Sequence, residues 1–104
     1  MAKQKKKPIG RKFDTGKPRW ELLPWKEVEE IVEVLTMGSE KYEDFNWMHV
    51  RPFRLRYCGA LMRHLTAWFL GEKLDPESQC SHLAHAGCCL LFLMWGDNNV
   101  KEDE

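Results

Sequence analysis

The sequence predicts an all-α protein, a small bundle of three to four helices, and three observations carry that prediction. Apolar residues recur at helical spacing in three separate stretches. The Pro and several of the Gly fall at positions suited to helix boundaries. No two alternating apolar and polar runs flank a turn, as paired strands would require. At 104 residues the chain has room for one domain and one modest core, because domains commonly run to about 100–150 residues. The expected organisation is a basic flexible arm over residues 1–12, a helical domain over 13–96 and an acidic tail over 97–104.

The first helix is expected from about Pro24 to Met37. Val28, Ile31, Val32 and Leu35 follow the i, i+3, i+4, i+7 pattern, Pro24 suits the first turn and Gly38 the C-terminal stop. The other face carries Glu29, Glu30 and Glu33, with Glu40 beyond the stop. The second helix is expected from about Pro52 to Leu70, ending at Gly71, with Tyr57, Leu61, Leu65 and Trp68 as its apolar stripe and His64 on that stripe. A third helix is expected to open on Asp75-Pro76-Glu77-Ser78, which supplies a cap, a proline for the first turn and an early acid, and to end near Gly96. From Leu83 to Trp95 its one plainly polar side chain is His85. A helix apolar around its circumference needs cover on every side, which two short helices can hardly give, so a homo-oligomer, dimer or tetramer, is expected.

Composition narrows the functional class. A chain 43% apolar and 31% charged fits a soluble globular protein and excludes a disordered or collagenous one. No run approaches the roughly 20 apolar residues of a membrane span, and the N-terminus lacks the apolar core of a secretory signal, so a cytoplasmic protein with no membrane partner is expected. The net charge of zero conceals an asymmetry. Met1–Arg19 hold eight Lys or Arg against the single Asp14, and the remainder holds eight against fifteen acids. A basic arm on an acidic body suits nucleic acid or nucleotide phosphates, and equally a solvated tail. Cys58, Cys80, Cys88 and Cys89 include no Cys-x-x-Cys pair, which points to reduced thiols packed as small hydrophobes.

Three histidines carry the chemical interest. A short connection folds the second and third helices into an antiparallel hairpin, which sets His64 and His85 at similar heights. His82 and His85, three apart, share a helical face and could address one ion. Glu30 and Glu33 from the first helix, and Glu72, Asp75 and Glu77 from the hairpin loop, could complete a site. Carboxylates suit Mg²⁺ or Mn²⁺, while imidazoles suit Zn²⁺, Fe²⁺ or Mn²⁺. Each group also has a plainer reading: His64 as a packed core residue, Asp75 as a helix cap, and the first-helix acids as a solvated face. Lys17 and Arg19 in a turn-rich stretch, with Lys41, Tyr42, Asn46 and Trp47 between the first two helices, supply cations, an aromatic plane and an amide, the parts needed to hold phosphates and a base. Surface charge, with Tyr42 and Trp47 packed on the core, explains the same residues. Arg63, beside His64, could reach a phosphate or an acidic partner.

At these residues the chain resembles the phage-type dATP/dGTP diphosphohydrolase N-terminal domain family, small helical proteins similar to the MazG-like nucleotide pyrophosphohydrolases. The resemblance rests on Lys17-Pro18-Arg19 with Leu22-Leu23-Pro24, Gly38 with Lys41-Tyr42 and Asn46-Trp47, Arg63-His64 with Trp68, Gly71-Glu72, and Asp75-Pro76-Glu77-Ser78 leading to His82-Leu83-Ala84-His85-Ala86. It covers roughly Phe13 to Trp95. It implies an oligomeric MazG-like bundle that hydrolyses a deoxypurine nucleoside triphosphate to the monophosphate and pyrophosphate with Mg²⁺ or Mn²⁺, adjusting a phage-infected host's nucleotide pool. Glu29, Glu30 and Glu33 look like the first acidic element of the MazG-like pattern, whereas His82 and His85 stand where its second acidic pair is expected, so either Glu72 and Asp75 or the histidines would complete the metal site. On this reading Glu33 and His64 are catalytic; Lys17, Arg19, Lys41, Tyr42, Asn46, Trp47 and Arg63 bind substrate; and Glu30, Glu33, Glu72, Asp75, His82 and His85 hold metal. The family tends to carry Gly after the serine and a polar residue near position 89, where this chain has Gln79 and Cys89. Two other functions stay open: a non-enzymatic phage accessory protein that binds nucleic acid or a host partner through the basic arm, and a phosphohydrolase that releases triphosphate.

Overall fold

A computed structural model describes residues 7–101. Its architecture is all-helical: α1 spans Trp25–Lys41, α2 spans Phe53–Phe69 and α3 spans His82–Asn99, with short 3-10 turns at Trp20–Leu22 and Asn46–His49. α2 and α3 form the expected antiparallel hairpin. α1 packs on α3, so α3 is the central element. No helix among the described residues is long and apolar enough to cross a membrane. Lys3, Lys5 and Lys6 of the expected arm lie outside the described residues, while Lys7, Arg11 and Lys12 are exposed.

The end of the hairpin away from its loop holds an aromatic cluster. Phe53, in the first turn of α2, is fully buried. Its ring meets Tyr57 edge-on at 4.9 Å and Trp95 at 5.6 Å, and Trp47 stacks on Phe92 at 4.3 Å. Such aromatic pairs contribute about 0.5–1.5 kcal/mol each beyond the area they bury. Ala84, Ala86, Cys88 and Cys89 line the buried side of α3. Burial pushes the Cys88 thiol up to about 12 and the Cys89 thiol up to about 11, so both behave as inert small hydrophobes.

Several element ends differ from those expected. α1 runs through Gly38 to Lys41, and Tyr42 N–H still reaches Gly38 C=O at 3.0 Å. A helical Gly costs only about 1 kcal/mol relative to Ala, which does not stop a helix whose later residues pack. α3 begins at His82, not in Asp75-Pro76-Glu77-Ser78, because Ser81 is its cap: the Ser81 hydroxyl accepts from Leu83 and Ala84 N–H. Asp75 instead closes the preceding turn, accepting from Glu77 N–H at 3.3 Å and the Ser78 hydroxyl at 3.0 Å. An Asp before Pro supports such a turn as readily as a helix start. α3 also continues past Gly96 to Asn99. Side-chain facing shifts in the same way. Val34 joins Val28, Ile31 and Leu35 on the inner side of α1 while Val32 faces out, and on α2 the exposed Leu65 and Trp68 leave Phe53, Tyr57, Leu61 and His64 as the inner stripe.

Gln79 adopts φ +61°, the left-handed region where a side chain is strained. Its position is the one where glycine was expected by family resemblance. Gln79→Gly should therefore raise stability, by about 0.5–1 kcal/mol after subtracting the lost Gln79 bond to Pro76 C=O, a gain read as a higher urea midpoint at unchanged slope.

Candidate active site

The hairpin brings together five of the residues singled out above. Antiparallel pairing that sets Phe53 beside Trp95 and Tyr57 beside Phe92 carries His64 to the start of α3. There the His64 and His85 rings lie parallel, 4.5 Å apart, and His64 Nδ1 is 2.9 Å from His82 Nδ1. His82 is only 4% exposed and its Nε2 lies 2.6 Å from Glu72 Oε1. On the other side Ser78 Oγ lies 2.7 Å from His85 Nε2, and Asp75 Oδ2 is 3.5 Å from that nitrogen.

These contacts suit one arrangement of the protons. An ionised carboxylate only accepts, so His82 Nε2 carries the hydrogen that Glu72 receives. With its hydrogen on Nε2 alone, His82 presents a lone pair at Nδ1, and His64 Nδ1–H is the donor that matches it. His64 is left with an unprotonated Nε2, the form a general base needs. Burial, followed by the neighbouring His85 and His82, lowers the His64 imidazole below its ordinary value. Burial likewise lowers His85, against the opposing pull of Asp75. The Asp75 carboxyl is pushed up by burial, but the Ser78 hydroxyl, Glu77 N–H and the imidazoles outweigh this and hold it below the usual range.

The sign of the pH effect follows. A histidine whose folded value is depressed favours protonation of the unfolded chain, so its share of stability is complete above 6.5 and drains away as pH falls below that through the folded value. Asp75 adds a second loss below 3.8. Urea midpoints should decline from pH 7 to pH 5, and His85→Phe should flatten that decline; a midpoint constant over this range would contradict the protonation scheme.

A cleft of about 630 Å³ is lined by Tyr42, Asn46, Arg56, Tyr57, Ala60 and Arg63, among others; none of the three clustered histidines lines it, and the link between the two is Arg63, the residue before His64. Tyr42, Asn46 and Arg63 are residues to which the sequence points for substrate binding; Arg56 and Tyr57 are not. The spacing of Arg56 and Arg63, seven apart and hence on one side of α2, was the available signal. The Arg63 guanidinium folds back over Gly59, where an added Cβ would lie 3.2 Å from Nη1. Trp47 is packed on Phe92 and Trp95. Lys41 pairs with Glu77 at 3.3 Å and lies over the Tyr42 ring, while Arg19 bonds Glu21 at 2.8 Å on the surface. Lys17 sits in the exposed turn after Asp14.

Glu30 and Glu33 lie elsewhere, in an open depression on α1 with Lys26, Glu27 and Glu29. Among the described residues no three His, Cys, Asp or Glu side chains are arranged to hold a metal ion as they stand. The donor sets differ in fit. His82 has both ring nitrogens engaged, whereas Glu30 and Glu33, one turn apart, are oxygen donors of the kind Mg²⁺ and Mn²⁺ take.

An imidazole and carboxylate network, with a cleft that carries two guanidiniums, an amide and two phenols, marks a class: a small all-helical protein with the side chains for acid–base chemistry and for contact with an anionic ligand. Comparison with known proteins makes this particular. The family described as dATP/dGTP diphosphohydrolase, N-terminal, matches residues 7–104, and the chain belongs to it. It is 36% identical over 90 residues to a dATP/dGTP diphosphohydrolase of Salmonella phage PMBT28, a match covering 86% of this chain and 30% of that protein. The chain thus spans under a third of its curated relative. No solved structure matches.

Proposed function

We propose that this chain hydrolyses a purine deoxynucleoside triphosphate, dATP or dGTP, to the monophosphate and pyrophosphate. Besides family membership, one observation carries this reading: the neighbours Arg63 and His64 on α2 serve the cleft and the imidazole cluster respectively. A nucleotide seated with its base against Tyr42 and Asn46, over the packed Trp47, has phosphates within the reach of Arg63, and Lys41, Arg19 and Lys17 supply further positive charge from the surface. His64 Nε2 takes a proton from water as the water oxygen bonds to the α-phosphorus; the bond from that phosphorus to the bridging oxygen breaks, and pyrophosphate leaves with the bond electrons. Glu30 and Glu33, in the separate depression on α1, would hold Mg²⁺ or Mn²⁺; Glu72 and Asp75 are the carboxylates that keep the imidazoles in place.

Incubation with a panel of dNTPs and NTPs in Mg²⁺ and in Mn²⁺, with products separated by ion exchange, tests the reading. Monophosphate plus pyrophosphate from dATP or dGTP is expected, and Glu33→Gln and His85→Ala should each abolish it while circular dichroism stays helical. Nucleoside plus triphosphate would assign a different phosphohydrolase. No turnover from folded protein would overturn the enzyme reading, and salt-dependent DNA binding lost on removing residues 1–12 would then favour an accessory protein.

The exposed Leu83, Leu90, Leu91 and Met94 leave one side of α3 uncovered after α1 and α2 have packed. We propose that a second copy of this chain covers it. Light scattering should give a dimer or tetramer, and Leu90→Glu with Met94→Glu a monomer; a wild-type monomer at micromolar concentration would contradict it.

A further inference from the structure

Ser78 has no place in the scheme above, yet its hydroxyl lies at the centre of three polar groups. It is 3.0 Å from Asp75 Oδ2, 2.7 Å from His85 Nε2 and 3.1 Å from Cys80 N. A hydroxyl has one hydrogen to give and two lone pairs to receive. Cys80 N–H must donate, which takes one lone pair. Asp75 can only accept, which takes the hydrogen. The second lone pair is left for His85, so His85 must be the donor.

The opposite arrangement is electrostatically unfavourable. If Ser78 gave its hydrogen to His85, a hydroxyl lone pair would face the Asp75 carboxylate at 3.0 Å and the imidazole lone pair would stand 3.5 Å from the same oxygen. Both contacts set negative density against negative density in a half-buried site, where screening is weaker than in water. We infer that Ser78 is a positioning residue: with Asp75 it holds His85 in the Nε2–H tautomer, leaving Nδ1 as the basic nitrogen of that ring.

The two stacked imidazoles are therefore set in opposite tautomers. Glu72 acting through His82 places the His64 hydrogen on Nδ1, and Asp75 acting through Ser78 places the His85 hydrogen on Nε2. Each ring enters the site with one defined acceptor, and neither must lose a proton before it can take one from water. The catalytic consequence rests on the proposed hydrolase reading; the tautomer assignment does not.

Long-range ¹H–¹⁵N correlation spectra of the full chain, recorded above the imidazole titration range, decide the matter without turnover. Wild type should show His85 as a single Nε2–H tautomer. Ser78→Ala should give a mixture of both tautomers, and Ser78→Thr, which restores the hydroxyl, should return the single form. Should Ser78→Ala fail to fold, Asp75→Asn serves instead: its amide can donate to Ser78, which frees the hydroxyl hydrogen for His85 and moves the population toward Nδ1–H. An Nδ1–H tautomer in wild type, or a tautomer unchanged in both Ser78→Ala and Asp75→Asn, would overturn the assignment. If the tautomers are as stated and no nucleotide is hydrolysed, the hydrolase reading fails and the role of Ser78 in orienting His85 stands.

Discussion

Gly96→Ala should be the most disruptive single methyl added to this protein. A Cβ at position 96 would overlap the Phe53 ring, meeting Cδ1 at 2.8 Å as well as the nearer Cε1. Phe53 cannot yield easily, since it is fully buried and wedged between Tyr57 and Trp95. Relief requires α2 and α3 to move apart at the end of the hairpin where the aromatic cluster lies. Overpacking of this kind costs about 1–3 kcal/mol, and a protein with a core this small has few other contacts to absorb it. Thermal unfolding should shift down by roughly 4–20 °C for a chain of this length. Phe53→Ala alone should cost about 3–5 kcal/mol, and the double variant less than the sum, because the ring that opposes the new methyl is gone. Independent, additive losses would show that the two positions do not meet.

His64→Phe should lower turnover by about 10²–10⁴-fold with the helices intact, the range that loss of a general base commonly brings. Phenylalanine keeps the volume and the parallel stacking on His85, so lost packing would not explain the effect. It removes both the acceptor at Nε2 and the donor to His82 Nδ1. Because His82 is buried, its orphaned nitrogen should also cost about 1–3 kcal/mol of stability. Affinity for a non-hydrolysable dGTP analogue should change little, since Arg63, Tyr42 and Asn46 line the cleft without help from the imidazole. Unimpaired hydrolysis by a folded His64→Phe variant would remove His64 from the mechanism.

The convergence of His64, His82 and His85 could be read from the sequence because it depends on two short-range facts, helical period and a connection too short for anything but a hairpin. Gly71, at φ +106°, ends α2 as its position suggested. The Ser78 contacts could not be read that way. They arise because Asp75-Pro76-Glu77-Ser78 forms a turn closed by Asp75 N–H bonding Cys80 C=O at 2.8 Å, and the same letters serve equally well as a helix start. Trp47 was similarly ambiguous between stacking on a base and packing; its position 4.3 Å from Phe92 depends on residues 45 places away.

What the sequence by itself determined is therefore local: three helices, the hairpin, the acidic outer face of α1 and the shared height of the histidines. Each follows from the 3.6-residue period and the conformational limits of Gly and Pro. Tertiary structure alone decided that Gly96 is a point of close helix approach and no terminus, that Val34 replaces Val32 on the inner face, and that Arg56 and Tyr57 join Arg63 at the cleft. The physical reason is that periodicity states which residues share a face of one helix, whereas packing depends on what stands opposite. For Gly96 that is a single ring, Phe53, forty-three residues earlier in the chain.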